Sequence, residues 1–183
     1  MTIESTPSGL DAGTWTLDGS HSEVGFSVRH AGISKVRGKF GEVEATATVG
    51  ETLGDSSVTA TIKTESFFSG DPNRDAHVRS GDFLDAEQFP ELTFVSTSLA
   101  GQGETYALTG DLTIRGITLP TTFETEFNGS VVDPFGTTRA GFSGQTTISR
   151  KDFGLTWNAA LEAGGVLVGD KVTISLELEF VRA

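Results

Sequence analysis

Residues 171–181, KVTISLELEFV, alternate strictly between polar and apolar side chains. Successive side chains of a β-strand point to opposite faces, so this period of two predicts a long strand with one buried face and one solvated face. The face that we expect to be buried carries Val172, Ile174, Leu176, Leu178 and Phe180. The segment therefore favours an antiparallel sheet, whose other strands can be sought in the preceding sequence.

Similar alternation recurs along the chain. Residues 21–30, HSEVGFSVRH, place Val24, Phe26, Val28 and His30 on one face. Further alternating segments lie at 36–49, 57–64, 92–99, 106–114, 119–127 and 137–149. About eight antiparallel strands at this spacing predict an all-β domain that closes into an extended, lipocalin-like barrel, since closure removes the exposed sheet edges.

Residues 66–94, SFFSGDPNRDAHVRSGDFLDAEQFPELTF, interrupt this pattern with helix signals. Asp71-Pro72 is typical of a helix start, because Asp accepts hydrogen bonds from free backbone N–H groups and Pro has no N–H to satisfy. Ser80-Gly81 interrupts the helix and Phe89-Pro90 stops it. We expect two short helices at 72–79 and 81–86, which form a short helical insertion near 72–86.

Charge and composition narrow the function classes. The 183 residues include 13 Lys and Arg against 25 Asp and Glu, a net charge of −12, which argues against nucleic acid or an anionic membrane surface as partner. The chain has no Cys, which excludes disulfides and thiolate chemistry. We expect one domain at 13–183, preceded by a flexible N-terminal segment at 1–12.

The sequence shows no targeting or membrane-spanning segment. Residues 1–13 have no basic region followed by an apolar run, and no apolar stretch approaches the roughly 20 residues needed to span a bilayer. We therefore expect a cytoplasmic protein with no membrane span, or a secreted one if a leader has been removed.

A barrel of about eight strands encloses either packed side chains or one small ligand. Eleven residues at about 3.3 Å each, tilted by roughly 40°, give a barrel about 25–28 Å tall. Such a lumen suits a linear apolar chain better than a compact polar metabolite.

Six blocks of sequence carry a family resemblance. They are HSEVGFSVRH (21–30), SKVRGKF (34–40), RDAHVRSGDFLDAEQFPELTF (74–94), TGDLTIRGITLPTTF (109–123), RAGFSGQTTISRKDFG (139–154) and VGDKVTISLELEF (168–180). In this order they resemble the YceI family of polyisoprenoid-binding, lipocalin-like proteins. The resemblance implies a barrel that holds an isoprenoid chain, such as a polyprenyl phosphate or an isoprenoid quinone, often in a homodimer. Residues 66–77 depart mildly from the family, because Phe67, Phe68 and Gly70 replace more polar residues.

We predict that inward-facing apolar side chains and polar groups at the rim contact this lipid. They are Phe26, Val28, His30, Ala60, Ile62, Phe67, Phe68, Arg74, His77, Phe83, Phe94, Leu112, Phe123, Phe142, Phe153, Trp157 and Ile174. The aromatic members would either line a tunnel or fill a core.

Arg74, Asp75, His77 and Arg79 are candidates for head-group recognition. Guanidinium groups suit phosphate, and imidazole can donate to a phosphate or a quinone carbonyl. The alternative is an Arg–Asp network that fastens the helix to the barrel, because so short a helix needs tertiary support.

A metal site is not expected. His21, His30 and His77 could in principle hold zinc, but no local pair of histidines brings them together. Residues 71–82 mimic a calcium loop, yet Ala76 replaces the turn Gly and Asp82 stands where a Glu is needed. We predict no cofactor other than the bound lipid.

Enzymatic motifs are absent from the sequence as well. Residues 141–145, GFSGQ, lack the second Gly of a nucleophile elbow, and no phosphate loop or dinucleotide fingerprint occurs. We predict a binding protein rather than an enzyme. The alternatives are an isoprenoid-modifying enzyme that uses His77 or His30 as general acid–base, and a solid barrel that serves only as an interaction domain.

Overall fold

The structure is a computed structural model that describes residues 5–183. Its strands are β1 (Gly13–Leu17), β2 (Glu23–His30), β3 (Ser34–Phe40), β4 (Val43–Val49), β5 (Ser57–Lys63), β6 (Phe67–Phe68), β7 (Glu91–Gln102), β8 (Thr105–Ile114), β9 (Ile117–Val132), β10 (Thr138–Ser149) and β11 (Val168–Arg182). One α-helix, α1, spans Pro72–Arg79. Short 3₁₀ helices lie at Gly19–His21, Leu53–Asp55, Thr64–Ser66 and Arg150–Phe153.

The sheet closes into an antiparallel barrel of eight strands. The order β1-β4-β5-β7-β8-β9-β10-β11 returns to β1, because β1 also pairs with β11. Strands β2, β3 and β6 continue β1, β4 and β5 beyond short breaks, so that β2 pairs with β11 and β3, and β6 pairs with β3. The predicted all-β barrel of about eight strands is therefore confirmed.

The two ends of the barrel differ. One end carries the turns at 50–56, 103–104 and 133–137, and is called here the closed end. The other end carries α1, the β2–β3 turn and residues 150–167, and is called here the mouth. The interior accordingly contains two apolar clusters, one at each end.

Helix α1 begins as predicted. The Asp71 carboxylate accepts hydrogen bonds from the backbone N–H groups of Asn73 and Arg74, and Pro72 occupies the first turn. Among residues 5–183, no helix has the length and hydropathy needed to cross a membrane.

The second helix predicted at 81–86 is wrong, because this segment forms turns. After Ser80 the chain folds back, so that the Leu84 N–H donates to the Val78 carbonyl and the Ala86 N–H to the Arg79 carbonyl. Asp85 adopts a left-handed conformation with φ of 52°. The turns thereby satisfy the carbonyl groups that the end of α1 leaves without helical partners.

The structure does not test the flexibility predicted for the segment at 1–12, although residues 5–12 make contacts with the barrel. Residues 1–4 lie outside the described part of the chain. Ser5 forms an isolated bridge with Thr52, and Pro7 is buried. Mobility of this segment stays a prediction.

A polar network joins strands β10 and β11 to the loops that hold Asp18 and Asp133. The Arg139 guanidinium on β10 donates at 2.8 Å each to carboxylate oxygens of Asp18, Asp133 and Glu179. The pKa of Asp18 lies below its ordinary value of 3.8, because the Ser20 hydroxyl, Arg139 and His21 hydrogen-bond to the carboxylate. Arg139 and the Thr137 N–H likewise lower the pKa of Asp133.

This network predicts a dependence of stability on pH. A carboxyl whose folded pKa is lowered contributes stability above its unfolded pKa, and this contribution is lost as the pH falls through the folded pKa. Stability should therefore fall progressively below about pH 4. Arg139→Gln removes part of both shifts, so we expect lower stability at pH 7 and a shallower loss in acid, measured by thermal unfolding from pH 7 to pH 2.

Lys63→Gln is the matched control, because it removes an exposed ion pair with Glu91 elsewhere on the barrel. Its pH profile should run parallel to that of the unmodified protein. An Arg139→Gln profile that is also parallel would contradict the assigned role of the network.

Candidate functional site

An apolar cavity of about 630 Å³ lies inside the barrel and is called here the main cavity. All eleven strands and α1 contribute to its lining. Four charged residues also line the cavity: Arg29, Arg74 and Arg150 are basic, and Asp71 is acidic. The volume falls within the range of about 300–1,000 Å³ that is typical of small-molecule sites.

Small side chains explain why the interior is open here. Ala45 on β4 and Ala60 on β5 are direct cross-strand partners, and both line the main cavity. On the other side of β5, Ala60 pairs with Phe94 of β7. Two adjacent alanines leave a volume that larger side chains would fill.

Large aromatic side chains fill the closed end instead. Trp15 and Tyr106 are almost completely buried there, with Phe127 and Phe180. The Trp15 indole N–H donates to the Asp11 carbonyl at 3.0 Å, which satisfies its polar atom. This plug ends the main cavity on that side.

Fifteen of the seventeen residues predicted to contact a ligand line the main cavity. They are Phe26, Val28, His30, Ala60, Ile62, Phe67, Arg74, His77, Phe83, Phe94, Leu112, Phe123, Phe153, Trp157 and Ile174.

Phe68 and Phe142 do not line it. Phe68 follows Phe67 on β6, so the pleat turns it outward and its side chain is 55% exposed. Phe142 points inward as its alternation predicts, but it belongs to the plug, with ring centroids 5.3 Å from Phe127 and 5.9 Å from Phe180. Alternation predicts which face of a strand a side chain occupies, but it does not predict the position of that side chain along the barrel axis.

An aromatic stack covers the wall near β3. The Phe26 and Phe67 rings are stacked with centroids 5.3 Å apart, and Phe40 lies 5.8 Å from Phe67. Gly38 makes room for them, since an added Cβ would lie 2.9 Å from the Phe26 ring. The pairing of β2 with β3 shows no register shift at Gly38, so the close approach of these rings, and not a bulge, explains this glycine.

Three rings form part of the mouth. His77 on α1 contacts Trp157 and Phe83 edge-on, at centroid distances of 4.7 and 5.0 Å. Its Nε2 lies 2.9 Å from a carboxylate oxygen of Asp82. The ring of His77 is thus held in place between an apolar contact and an acid.

Arg150 lines the main cavity and was missed among the predicted site residues. It is 3% exposed and donates to four carbonyl groups, those of Leu155, Trp157, Val168 and Gly169. Burial lowers the pKa of its guanidinium. The sequence did contain a signal, because position 150 continues the inward series from Ala140 to Ile148. These bonds fasten residues 155–157 to β11 and so position Trp157.

The four residues predicted for head-group recognition divide into two roles. The Arg74 Nε donates to the Ser69 hydroxyl at 2.8 Å and its Nη2 to the Ser69 carbonyl at 2.9 Å. Asp75 is buried and accepts from the N–H and the hydroxyl of Ser69, while Arg79 donates to the Phe67 carbonyl. Asp75 and Arg79 thus fasten the helix, as the alternative interpretation predicts. Arg74 and His77 also face the main cavity.

A second cavity of about 450 Å³ adjoins the main cavity at the mouth. Polar and basic residues dominate its lining: His30, Ser34, Lys35, Val36, Arg37, Ser69 and Arg74. It shares His30, Val36 and Arg74 with the main cavity.

The histidines are not brought together. His30 and His77 lie at the mouth, whereas His21 belongs to the Arg139 network. Within residues 5–183, the cluster that comes closest to metal-ligand geometry is Asp18, His21 and Glu179, whose ligand atoms lie within 4.8 Å of one another. Arg139 donates to both of these carboxylates and already balances their charge.

The structure also shows what the GFSGQ segment at 141–145 forms. Residues 141–145 lie inside strand β10, whereas a nucleophile elbow needs a sharp turn from a strand into a helix. The local geometry therefore agrees with the sequence in giving no support to a serine hydrolase.

Comparison with known proteins assigns the family. The model of the YceI-like domain matches residues 15–180. The chain is similar to a UPF0312 protein of Vibrio campbellii, with 40% identity over 151 residues that cover 80% of each chain. No reaction is assigned by these descriptions.

Solved structures show the same fold. Burkholderia cenocepacia BcnA is similar with a TM-score of 0.78 and 25% identity, covering 89% of this chain and 98% of that chain. A polyisoprenoid binding domain from Saccharophagus degradans, implicated in plant cell wall breakdown, has a TM-score of 0.72 and covers 94% of this chain and 100% of that chain. At 13% identity the latter likeness concerns the fold alone. The family match and the curated relative together establish that this chain belongs to the YceI-like domain family.

Proposed function

We propose that this protein binds a long-chain isoprenoid lipid, a polyprenyl phosphate or an isoprenoid quinone, for carriage, storage or sensing. The tail occupies the main cavity and the head group lies at the mouth. The observation that carries this proposal is the main cavity itself, an apolar lumen of about 630 Å³ that ends on an aromatic plug.

The length of the main cavity favours a linear ligand. Val168 at the start of β11 and Phe180 near its end both line the cavity. The strand between them extends for about 40 Å, or about 30 Å along the barrel axis after a tilt of roughly 40°. A volume of about 630 Å³ spread over that length is narrow in cross-section, which suits one extended chain.

The energetics assign affinity to the tail. Burial contributes about 0.8 kcal/mol per CH₂, so one five-carbon isoprene unit contributes roughly 4 kcal/mol before costs. The cost of association is about 4–15 kcal/mol, together with ordering of the chain. The burial of several isoprene units therefore outweighs the free-energy cost of association. The head group then determines which isoprenoid lipid is preferred.

One observation favours a second candidate function. The His77–Asp82 pair lies beside the main cavity and could act as general acid–base in an isoprenoid-modifying enzyme. Chemical conversion of bound lipid during incubation would distinguish this function from binding alone. The solid barrel of an interaction domain is disfavoured by the paired alanines Ala45 and Ala60. A homodimer and a cytoplasmic location stay predictions.

The first test concerns the ligand of the natively purified protein. Organic extracts analysed by mass spectrometry should contain a long isoprenoid at a substantial fraction of one molecule per chain, because the tail contributes most of the affinity. Extracts that contain no isoprenoid, combined with no uptake of added polyprenyl phosphate or menaquinone-type quinone, would contradict the proposed function.

The second test places a bulky side chain where the lipid tail is proposed to lie. Ala60→Trp places an indole in the main cavity, so lipid binding should be lost while the fold persists, measured by lipid uptake and by melting of the delipidated proteins. Delipidation matters because bound lipid stabilises the folded state by mass action.

Thr59→Trp is the matched control, since Thr59 precedes Ala60 on β5 and its side chain is exposed. It should bind lipid as the unmodified protein does. If the interior were close-packed, Ala60→Trp would instead cost about 1–3 kcal/mol of stability through overpacking. A strongly destabilised Ala60→Trp variant that still binds lipid would contradict the position assigned to the tail.

A further inference from the structure

Asn128 and Gly129 occupy an unusual place for an Asn-Gly pair. Such a pair is typical of a hairpin turn, because both residues readily adopt left-handed conformations. Here the pair lies inside strand β9, which continues to Val132. The pairing of β9 with β10 shifts between Gly141 and Phe142, so that Asn128 is the extra residue of a β-bulge and is left without a partner in this register.

The other side of β9 is open at this level of the barrel. Strand β8 begins opposite Glu126, and the Phe127 N–H donates to the Glu104 carbonyl in the turn before that strand. Within residues 5–183, no strand pairs with 128–132 on this side. Segments that are held by fewer backbone hydrogen bonds open locally at a lower free energy, so the chain around Asn128 distorts more easily than the rest of β9.

This arrangement favours an intramolecular reaction of Asn128. The backbone nitrogen of Gly129 attacks the side-chain amide carbon of Asn128, so that a succinimide ring forms and the amide nitrogen leaves as ammonia. Water carries the proton that the Gly129 nitrogen loses to the leaving nitrogen. Water then adds to one of the two ring carbonyl groups and opens the ring to aspartate or isoaspartate. The reaction consumes only water, and its rate depends on how often the two reacting atoms come within about 3–3.5 Å of each other.

The surroundings of Gly129 leave room for the ring. Asn128 and Gly129 are both exposed, and a Cβ added to Gly129 would meet no atom of the described chain within 4 Å. A residue without a side chain also offers the least hindrance to the approach of its own nitrogen. The Asn128 Nδ2 donates to the Ser143 hydroxyl at 2.9 Å, so an exposed hydrogen bond that water can replace holds the leaving nitrogen.

The other two asparagines of the chain are more constrained. Asn73 lies in the first turn of α1, and the N–H of the following Arg74 is already bonded to the cap of the helix. Asn158 accepts from the N–H groups of Ala159 and Val168, and its Nδ2 donates to the Val168 carbonyl. The chain therefore contains two internal controls for the reactivity of Asn128.

Modification would change the charge at a place that is already acidic. Ser143 lies between Glu126 on β9 and Glu177 on β11 in the strand registers, and its hydroxyl donates to Glu177 at 2.9 Å. A carboxylate at position 128 cannot donate to Ser143, and it adds a negative charge beside both glutamates. Like charges on neighbouring strands destabilise a sheet.

We propose that Asn128 is a site of spontaneous covalent modification, which deamidates to aspartate and isoaspartate and thereby weakens the outer face of β9 and β10 near the closed end. The reactive feature is the combination of a bulge, a following glycine and an open strand edge. The inference goes beyond the proposed function and does not depend on what the main cavity binds.

Peptide mapping by mass spectrometry tests this site in the folded, full-length protein. After incubation at neutral pH and physiological temperature, the peptide that contains Asn128 should acquire the mass of aspartate, whereas the peptides of Asn73 and Asn158 should not. The folded rate at Asn128 should lie within about tenfold of its rate in the guanidinium-unfolded chain, which corresponds to a local opening free energy below about 1.4 kcal/mol. A folded rate below this range would overturn the inference, as would equal conversion of all three asparagines.

Two variants separate the site of the reaction from its consequence. Asn128→Gln keeps an amide but must form a larger ring, so acidic species should no longer accumulate on isoelectric focusing. Asn128→Asp carries the charge of the product from the start and should lower the melting temperature of the delipidated protein by about 1–4 °C. Gln88→Glu is the matched control, because it makes the same change from amide to carboxylate at an exposed position in the turns after α1, and it should melt as the unmodified protein does.

The variants can contradict each part of the inference. Continued accumulation of acidic species in Asn128→Gln would overturn the assignment of the site. An Asn128→Asp variant that melts at the same temperature as Gln88→Glu would overturn the assigned consequence for the sheet.

Discussion

The backbone pairing between β1 and β11 is the constraint on which the rest of the structure depends. Trp15, Thr16 and Leu17 pair with Arg182, Val181 and Phe180, and these three pairs close the sheet on itself. Without closure the eight-stranded sheet would expose two long edges and its apolar face. With closure, that face becomes the interior of the barrel and holds both apolar clusters. The burial of Trp15, 1% exposed directly at this seam, adds packing to the hydrogen bonds.

The interior shows how side-chain size, rather than polarity, separates a core from a cavity. Both regions are built from inward positions of barrel strands, and apolar side chains dominate both. At the closed end these positions hold Trp15, Tyr106, Phe127, Phe142 and Phe180, which fill the space. In the middle they hold Ala45 and Ala60, which do not. A stable plug therefore lets the protein tolerate an unfilled lumen, because the stability lost around the cavity is supplied elsewhere in the barrel.

Local patterns in the sequence predicted what depends on neighbouring residues. Alternation identified most of the strands and the inward-facing side chains that it predicted on them, and Asp71-Pro72 marked the start of α1. The position of Phe142 could not be predicted, because its height in the barrel depends on the register with distant strands. Arg150 was predictable in principle from its place in the β10 alternation, but a buried guanidinium there makes sense only once its carbonyl partners are known. The second cavity was beyond sequence reasoning, because it exists where β6 ends after two residues.

The short β6 strand has a consequence for how copies of the chain avoid one another. The free edge of β3 at residues 34–38 is a template on which a strand from another molecule could add. Lys35 and Arg37 stand on that edge, and in two copies brought edge to edge their like charges would repel. The basic side chains of this edge thus oppose its pairing with another copy of the chain. A relative without these basic side chains would need another protection for the edge, such as a proline, a bulge or a longer β6.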